Sequence, residues 1–150
     1  VKTILRSIEP VTDHAGVSAW IRLIKAYNLV LRQARSHLTE CTISQFDVVA
    51  HLVREKNGMT PAQLSRRLLV TAGNITGLID RMEKSGLVMR VRDTKDRRTI
   101  RIQLTTKGRK LAERVIPRHS ADIESIFKVL SETEKGQLHK ALDKLIRSLE

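Results

Sequence analysis

The side chains of this 150-residue chain best placed to do chemistry are hydrogen-bond donors and cations at regular spacings, with no nucleophile or metal ligand among them. Asn74, Thr76, Arg81 and Lys84 fall along one stretch, with Gly73 and Gly77 between them. An asparagine amide can bond bidentately to adenine, and cations beside it meet phosphate. Further on, Asp96 stands two residues before Arg98, within a run that also holds Arg90, Arg92, Lys95, Arg97 and Arg101. A carboxylate so placed is expected to orient a guanidinium for entry into a narrow minor groove. Binding to a polyanion is the chemistry these residues offer.

Bond-making chemistry finds no comparable support. Cys41 is the only cysteine and has no basic neighbour in sequence, so an inert thiol is favoured over a redox sensor. His14, His37, His51, His119 and His139 show no metal-ligand spacing. His37 and Cys41 lie at a helix end followed by a capping box, which is not a catalytic loop. Without a phosphate loop or a recognisable carboxylate pair, the expectation is no enzyme, no metal and no cofactor.

The elements that must position these residues can be read from the same stretch. Thr60 caps a first helix, with Pro61 at its first position, Gln63 completing a capping box, and Leu64 and Leu68 marking the buried face. After a break at Leu69 and Val70, Thr71 caps a second helix whose Ile75, Leu78, Ile79 and Met82 repeat at helical spacing. Gly86 ends it. The opposite face carries Gly73, Asn74, Thr76, Gly77, Asp80, Arg81 and Lys84, suited to a major groove. A two-stranded ribbon follows, with Met89 and Val91 alternating against Arg90 and Arg92, and Ile100, Ile102 and Leu104 against Arg101 and Gln103. The charged run Asp93 to Arg98 forms its tip.

Charge agrees with this reading. Thr60 to Arg109 holds 12 Lys and Arg against 4 Asp and Glu, so it carries most of the chain's net charge of +12. Aromatic residues make up only 3%, which excludes a stacking platform for single strands. No apolar run is long enough to span a bilayer and no signal peptide is evident, so a cytoplasmic protein without a membrane role is expected.

Apolar positions Val17, Trp20, Ile24, Tyr27, Leu31, Ala34 and Leu38 predict a long helix buried on more than one side, preceded by an arm with Ile4, Leu5, Ile8 and Pro10. Thr42 and Gln45 cap a helix to about Lys56, closed by Asn57 and Gly58. Thr105 caps another, expected to bend or break near Pro117 on its way to Leu130. Ser131 and Glu134 cap the last, whose Leu138, Leu142, Leu145 and Leu149 form one stripe. From Ser120 onward the chain is nearly neutral, with 5 Lys and Arg against 6 Asp and Glu. Apolar, neutral ends around a basic middle predict that the ends associate and the middle binds.

The run Asp96 to Gly108, DRRTIRIQLTTKG, resembles the wing signature of the MarR family of winged-helix transcription regulators, Asp-x-Arg followed by Leu-Thr-x-x-Gly. The segments LTECTISQFDVVAHLV and GLIDRMEKSGLVMR are similar to that family's pattern as well. The resemblance implies a mainly α fold with a small antiparallel β wing, in the order α-α-(β)-α-α-β-β-α-α. It implies a single domain over 1–150, with 1–38 and 106–150 as dimerisation helices and 42–105 as the winged helix-turn-helix. The partners expected are double-stranded DNA, a second copy in a homodimer, and a small aromatic or phenolic effector that releases a repressor from a pseudo-palindromic site. The residues expected at DNA are Thr60, Ser65, Arg66, Thr71, Gly73, Asn74, Thr76, Gly77, Arg81, Lys84, Arg90, Arg92, Lys95, Asp96, Arg97, Arg98 and Arg101. An architectural DNA binder, a winged helix used for protein contacts and a cysteine redox sensor are the alternatives.

Overall fold

A computed structural model describes residues 14–93 and 96–150. The expected arm, with Ile4, Leu5, Ile8 and Pro10, lies outside the described residues, as does Lys95. The chain divides into two compact units, Val1–Ser36 and His37–Glu150. In the first, the described part is one helix, α1, Ala15–Ser36. Its Trp20, Ile24, Tyr27 and Leu29 are exposed. This corrects the expectation of burial on several sides, because the apolar positions run around more of the helix than the chain itself covers.

The second unit is built on α2, Ile43–Leu52, whose Phe46, Val48, Val49 and Leu52 are buried. The Thr42–Gln45 capping box starts this helix as expected, but it stops at Leu52 rather than near Lys56. Gly58, at φ 69°, then turns the chain so that Met59 bridges Ile102 through paired backbone bonds of 3.0 and 2.7 Å. Only glycine fits there, since an added Cβ would stand 2.3 Å from the Ile102 carbonyl oxygen.

Two helices follow, α3, Pro61–Leu68, and α4, Ala72–Lys84. Leu64 from α3 and Ile75, Ile79 and Met82 from α4 are buried against the face of α2. Each such side chain stabilises by about 1.5 to 3 kcal/mol when fully removed from water. The ribbon is β1, Val88–Arg92, antiparallel to β2, Ile100–Leu104. Its register pairs Val88 with Leu104, Arg90 with Ile102 and Arg92 with Ile100. Directly opposed residues share a face, so Val88, Ile102 and Leu104 point to the core, and Met89 and Val91 lie on the other face. The inward phase expected of β1 is therefore reversed, and Met89 is 42% exposed.

Helix α5, Thr106–Phe127, buries Leu111, Ala112 and Val115 and begins under a Thr105 cap. Gly108 lets its first turn press on the preceding loop, where a Cβ would meet the Leu87 carbonyl oxygen at 2.1 Å. Of the expected bend or break at Pro117, the break does not occur, and the helix continues through the proline to Phe127. Pro117 and the residue one turn before it, Glu113, are both exposed, so water can take up the carbonyl that the proline leaves free. Last comes α6, Glu132–Arg147, opened by a Ser131–Glu134 capping box and burying no residue. The element order is that of the expected fold, with Met59 as the bracketed β position.

Candidate nucleic-acid interface

The turn between α3 and α4 sets the angle at which α4 is presented. Leu69 takes a left-handed conformation, φ 52°, and its N–H donates to the Arg66 carbonyl. Ser65 Oγ donates to the Val70 carbonyl at 2.5 Å, which closes the corner. Thr71 Oγ1 then accepts the Asn74 N–H at 3.3 Å and starts α4. Ser65 and Thr71, both predicted at DNA, thus shape the turn, as does half-buried Thr60, whose hydroxyl accepts the Gln63 N–H.

Along α4 the exposed face holds Gly73, Asn74, Thr76, Asp80, Arg81 and Lys84, with Gly77 half-buried. Thr76 Oγ1 donates back to the Ala72 carbonyl at 2.9 Å. A Cβ at Gly73 would meet nothing within 4 Å, so the fold does not require glycine there. Arg66, Arg81 and Lys84 form no ion pair among the described residues, and neither do Arg92, Arg97 and Arg98 of the wing. A cavity of about 270 Å³ lies beside this face, lined by Ser44, Asp47, Leu68, Val70, Asn74, Leu78 and Arg81.

The base of the wing is tied differently. Arg90 Nη2 lies 2.6 Å from Asp80 Oδ1, Nη1 pairs with Glu83, and the Arg90 backbone N–H donates to Glu83 Oε1 at 3.1 Å. The hydrogen bond to Asp80 and the charge of Glu83 raise the pKa of Arg90, holding it still more firmly protonated. Arg101 pairs with Asp93 through Nε and donates from Nη1 to the Gly58 carbonyl at 3.2 Å. Two of the predicted phosphate contacts therefore have partners of their own, which fix β1 to α4 and β2 to the loop before α3.

Asp96 also differs from its expected role. Its Oδ1 accepts the Arg98 backbone N–H at 3.0 Å and its Oδ2 the Thr99 hydroxyl at 2.8 Å, while its own N–H donates to Asp93 Oδ1. The carboxylate organises the backbone of the tip and not the Arg98 guanidinium. A two-residue spacing suits that geometry, because a short carboxylate reaches an amide two residues on without leaving the turn. Sequence reasoning missed Asp80, Glu83 and Asp93 as supports. The signal was two acids one helical turn apart on α4, followed by an arginine just past the helix end.

Away from this face, Cys41 is half-buried and its pKa is raised, first by burial and then by Glu40 and Asp47. His37 Nδ1 lies 3.1 Å from Asp122 Oδ1, and the His119 ring packs on Phe46 with centroids 4.2 Å apart. The cavity beside them is only about 10 Å³, too small for an organic ligand. Among the described residues no helix is long and apolar enough to cross a membrane.

Residues 41–99 match the family model described as MarR family. The structure of a MarR family protein from Bacillus stearothermophilus is 31% identical, covering 90% of this chain and 94% of that one, with a TM-score of 0.67. The chain belongs to the MarR family. Similar to it within that family pattern is the HTH-type transcriptional repressor YetL of Bacillus subtilis (strain 168), 36% identical over 91 residues, or 61% of this chain and 54% of that protein. The chain thus spans about half the length of that curated relative, and 53% of a second B. subtilis regulator. The MepR–DNA complex of S. aureus is 26% identical over 89% of this chain and 98% of that one, with a TM-score of 0.75.

Proposed function

We propose that the chain is a sequence-specific, double-stranded DNA-binding repressor that acts as a homodimer. The observation that carries this is the set of cations that form no ion pair among the described residues, Arg66, Arg81, Lys84, Arg92, Arg97 and Arg98, around the exposed face of α4 and the wing. Helix α4 enters a major groove, with Asn74 near its start at the base edges and Gly73 and Gly77 allowing close approach. The wing tip enters the adjacent minor groove with Arg97 and Arg98. Arg90 and Arg101 act as supports, and Ser65, Thr60 and Thr71 hold the turn. The similar proteins named above support this reading, one being an HTH-type transcriptional repressor and the other a protein solved in complex with DNA.

Assembly rests on α6, which buries no residue and exposes Leu138, Leu145 and Ile146, with Leu149 exposed in the turn just after it. A second copy covers that stripe, so two α4 helices lie about one helical turn, ~34 to 36 Å, apart on a pseudo-palindromic site. A small aromatic or phenolic effector releases the repressor, as the family resemblance implies. The protein works in the cytoplasm, where such DNA is reached.

A gel shift against mixed genomic fragments, run beside sedimentation, tests the reading. A dimer that retains a discrete subset of fragments above competitor DNA is expected. A monomer, or uniform retention of all fragments, would contradict it.

A further inference from the structure

Leu69 is placed at a double disadvantage within its own chain. It is the only non-glycine residue with positive φ among those described, and its side chain is 93% exposed. The left-handed conformation crowds a leucine Cβ against its own backbone, and glycine or asparagine would sit there with less strain. Exposure of a leucine adds nothing to folding. Both features disfavour leucine at this corner, where its side chain is left almost wholly in solvent.

Its surroundings point outward in one direction. Leu69 is two residues before Thr71, so its Cα lies within about 7 Å of the first residue of the α4 cap. Arg66, three residues earlier and on the last turn of α3, is exposed and forms no ion pair among the described residues, whereas Arg67 is held by Glu55 at 3.4 Å. Val70 beside it is 38% exposed. The edge is thus a small apolar spot bordered by a free cation, at the end of α4 proposed to approach DNA. A protein partner would call for a broader apolar patch. The sugar–phosphate backbone alternates apolar deoxyribose with charged phosphate at this scale.

We propose that Leu69 is a DNA-positioning residue, packing on a deoxyribose while Arg66 meets the adjoining phosphate, and so fixing the depth at which α4 enters the groove. The inference rests on the DNA-binding reading above and adds an apolar anchor that base-reading residues do not supply. Because that anchor is uncharged, removing it leaves the salt dependence of binding unchanged, whereas removing a phosphate-bound cation does not.

The test compares wild type with Leu69→Gly, Leu69→Asn and Leu69→Met on a duplex selected by the wild-type dimer, with Tm measured beside Kd. Leu69→Gly is expected to raise Tm, since strain is relieved, yet to weaken binding about five- to tenfold per half-site, the loss expected when most of one leucine side chain is no longer buried. Leu69→Asn, which tolerates the left-handed backbone, should weaken it similarly. Leu69→Met should stay within about twofold of wild type, because it keeps comparable apolar reach. A Leu69→Gly protein that binds as tightly as wild type overturns the proposal, as does equal weakening in all three, which would implicate the turn and not the side chain. Unchanged DNA binding with lost regulation in cells would assign Leu69 to a protein partner and overturn it too. Wild type that holds no DNA takes down the underlying reading as well, whereas a normal wild type beside an unaffected Leu69→Gly takes down this inference alone.

Discussion

Arg90 and Arg101 at the base of the wing, and Arg97 and Arg98 at its tip, are the same residue type within a short stretch, and the fold uses them in opposite ways. Each base arginine is held by carboxylates, Arg90 by Asp80 and Glu83 and Arg101 by Asp93. The tip arginines are exposed and, among the described residues, meet no carboxylate in an ion pair. Formal charge in this region thus overstates what is available to a partner, because part of it is neutralised to set the wing's angle against α4. Asp96 belongs to neither group, since it bonds to the Arg98 backbone N–H and the Thr99 hydroxyl and not to the tip guanidinium groups.

The sharpest way to break this comparison is to remove a base cation. Arg101→Ala removes both its ion pair with Asp93, whose side chain is only 12% exposed, and its bond to the Gly58 carbonyl, and should cost about 2 kcal/mol of stability. Arg90→Ala should cost less, about 1 kcal/mol, because its partners are more exposed to solvent screening. Urea unfolding of both variants checks the order. If either change lowers DNA affinity while leaving unfolding unaltered, that base arginine belongs with the tip.

Arg98→Ala should do the reverse. Unfolding stays as in wild type, affinity for a specific site falls about tenfold, and the slope of log K against log salt becomes shallower by about 1 for each phosphate no longer neutralised. Asp96→Ala sharpens the comparison through its sign. It removes a negative charge, so simple electrostatics predicts tighter binding at every site. Because Asp96 holds the tip backbone at Arg98 and Thr99, binding to the specific site should instead weaken, with non-specific binding held or improved. Specific and non-specific Kd at one fixed salt concentration distinguish the two. The smallest effect is expected at Cys41, whose raised pKa keeps it a thiol at neutral pH. Its alkylation should be slower than that of a free cysteine and rise only in alkaline solution, and Cys41→Ser should leave DNA binding unchanged in oxidant.

Local features were legible in the sequence because their causes are local. The capping boxes at Thr42, Thr60 and Ser131 each lie within four residues, and all three form. The stripe of Ile75, Ile79 and Met82 specified α4 and its outward face together. Misreadings fell where the deciding neighbour is distant in sequence or depends on register. The alternation in β1 fits either phase, and pairing with β2 chose Val88 for the core and left Met89 outside. Pro117 signals a bend or a break, and an exposed helix face spares α5 the break. The partners of Arg101 include Gly58, 43 residues away, which no spacing rule reveals. Asp96 and Arg98 were paired correctly and the atom was not, because spacing does not distinguish a backbone amide from a guanidinium.

The most direct measurement for the central claim is selection of bound duplexes from a random pool by wild type and by Asn74→Ala. Wild type should enrich an inverted repeat with half-sites about one helical turn apart. Asn74→Ala should enrich the same repeat with preference relaxed at one base pair per half-site, a loss of about 1 to 3 kcal/mol of discrimination there. Failure of the wild-type chain to enrich any repeat, or an Asn74→Ala consensus identical to wild type at every position, would contradict the assignment of α4 as the element that reads DNA.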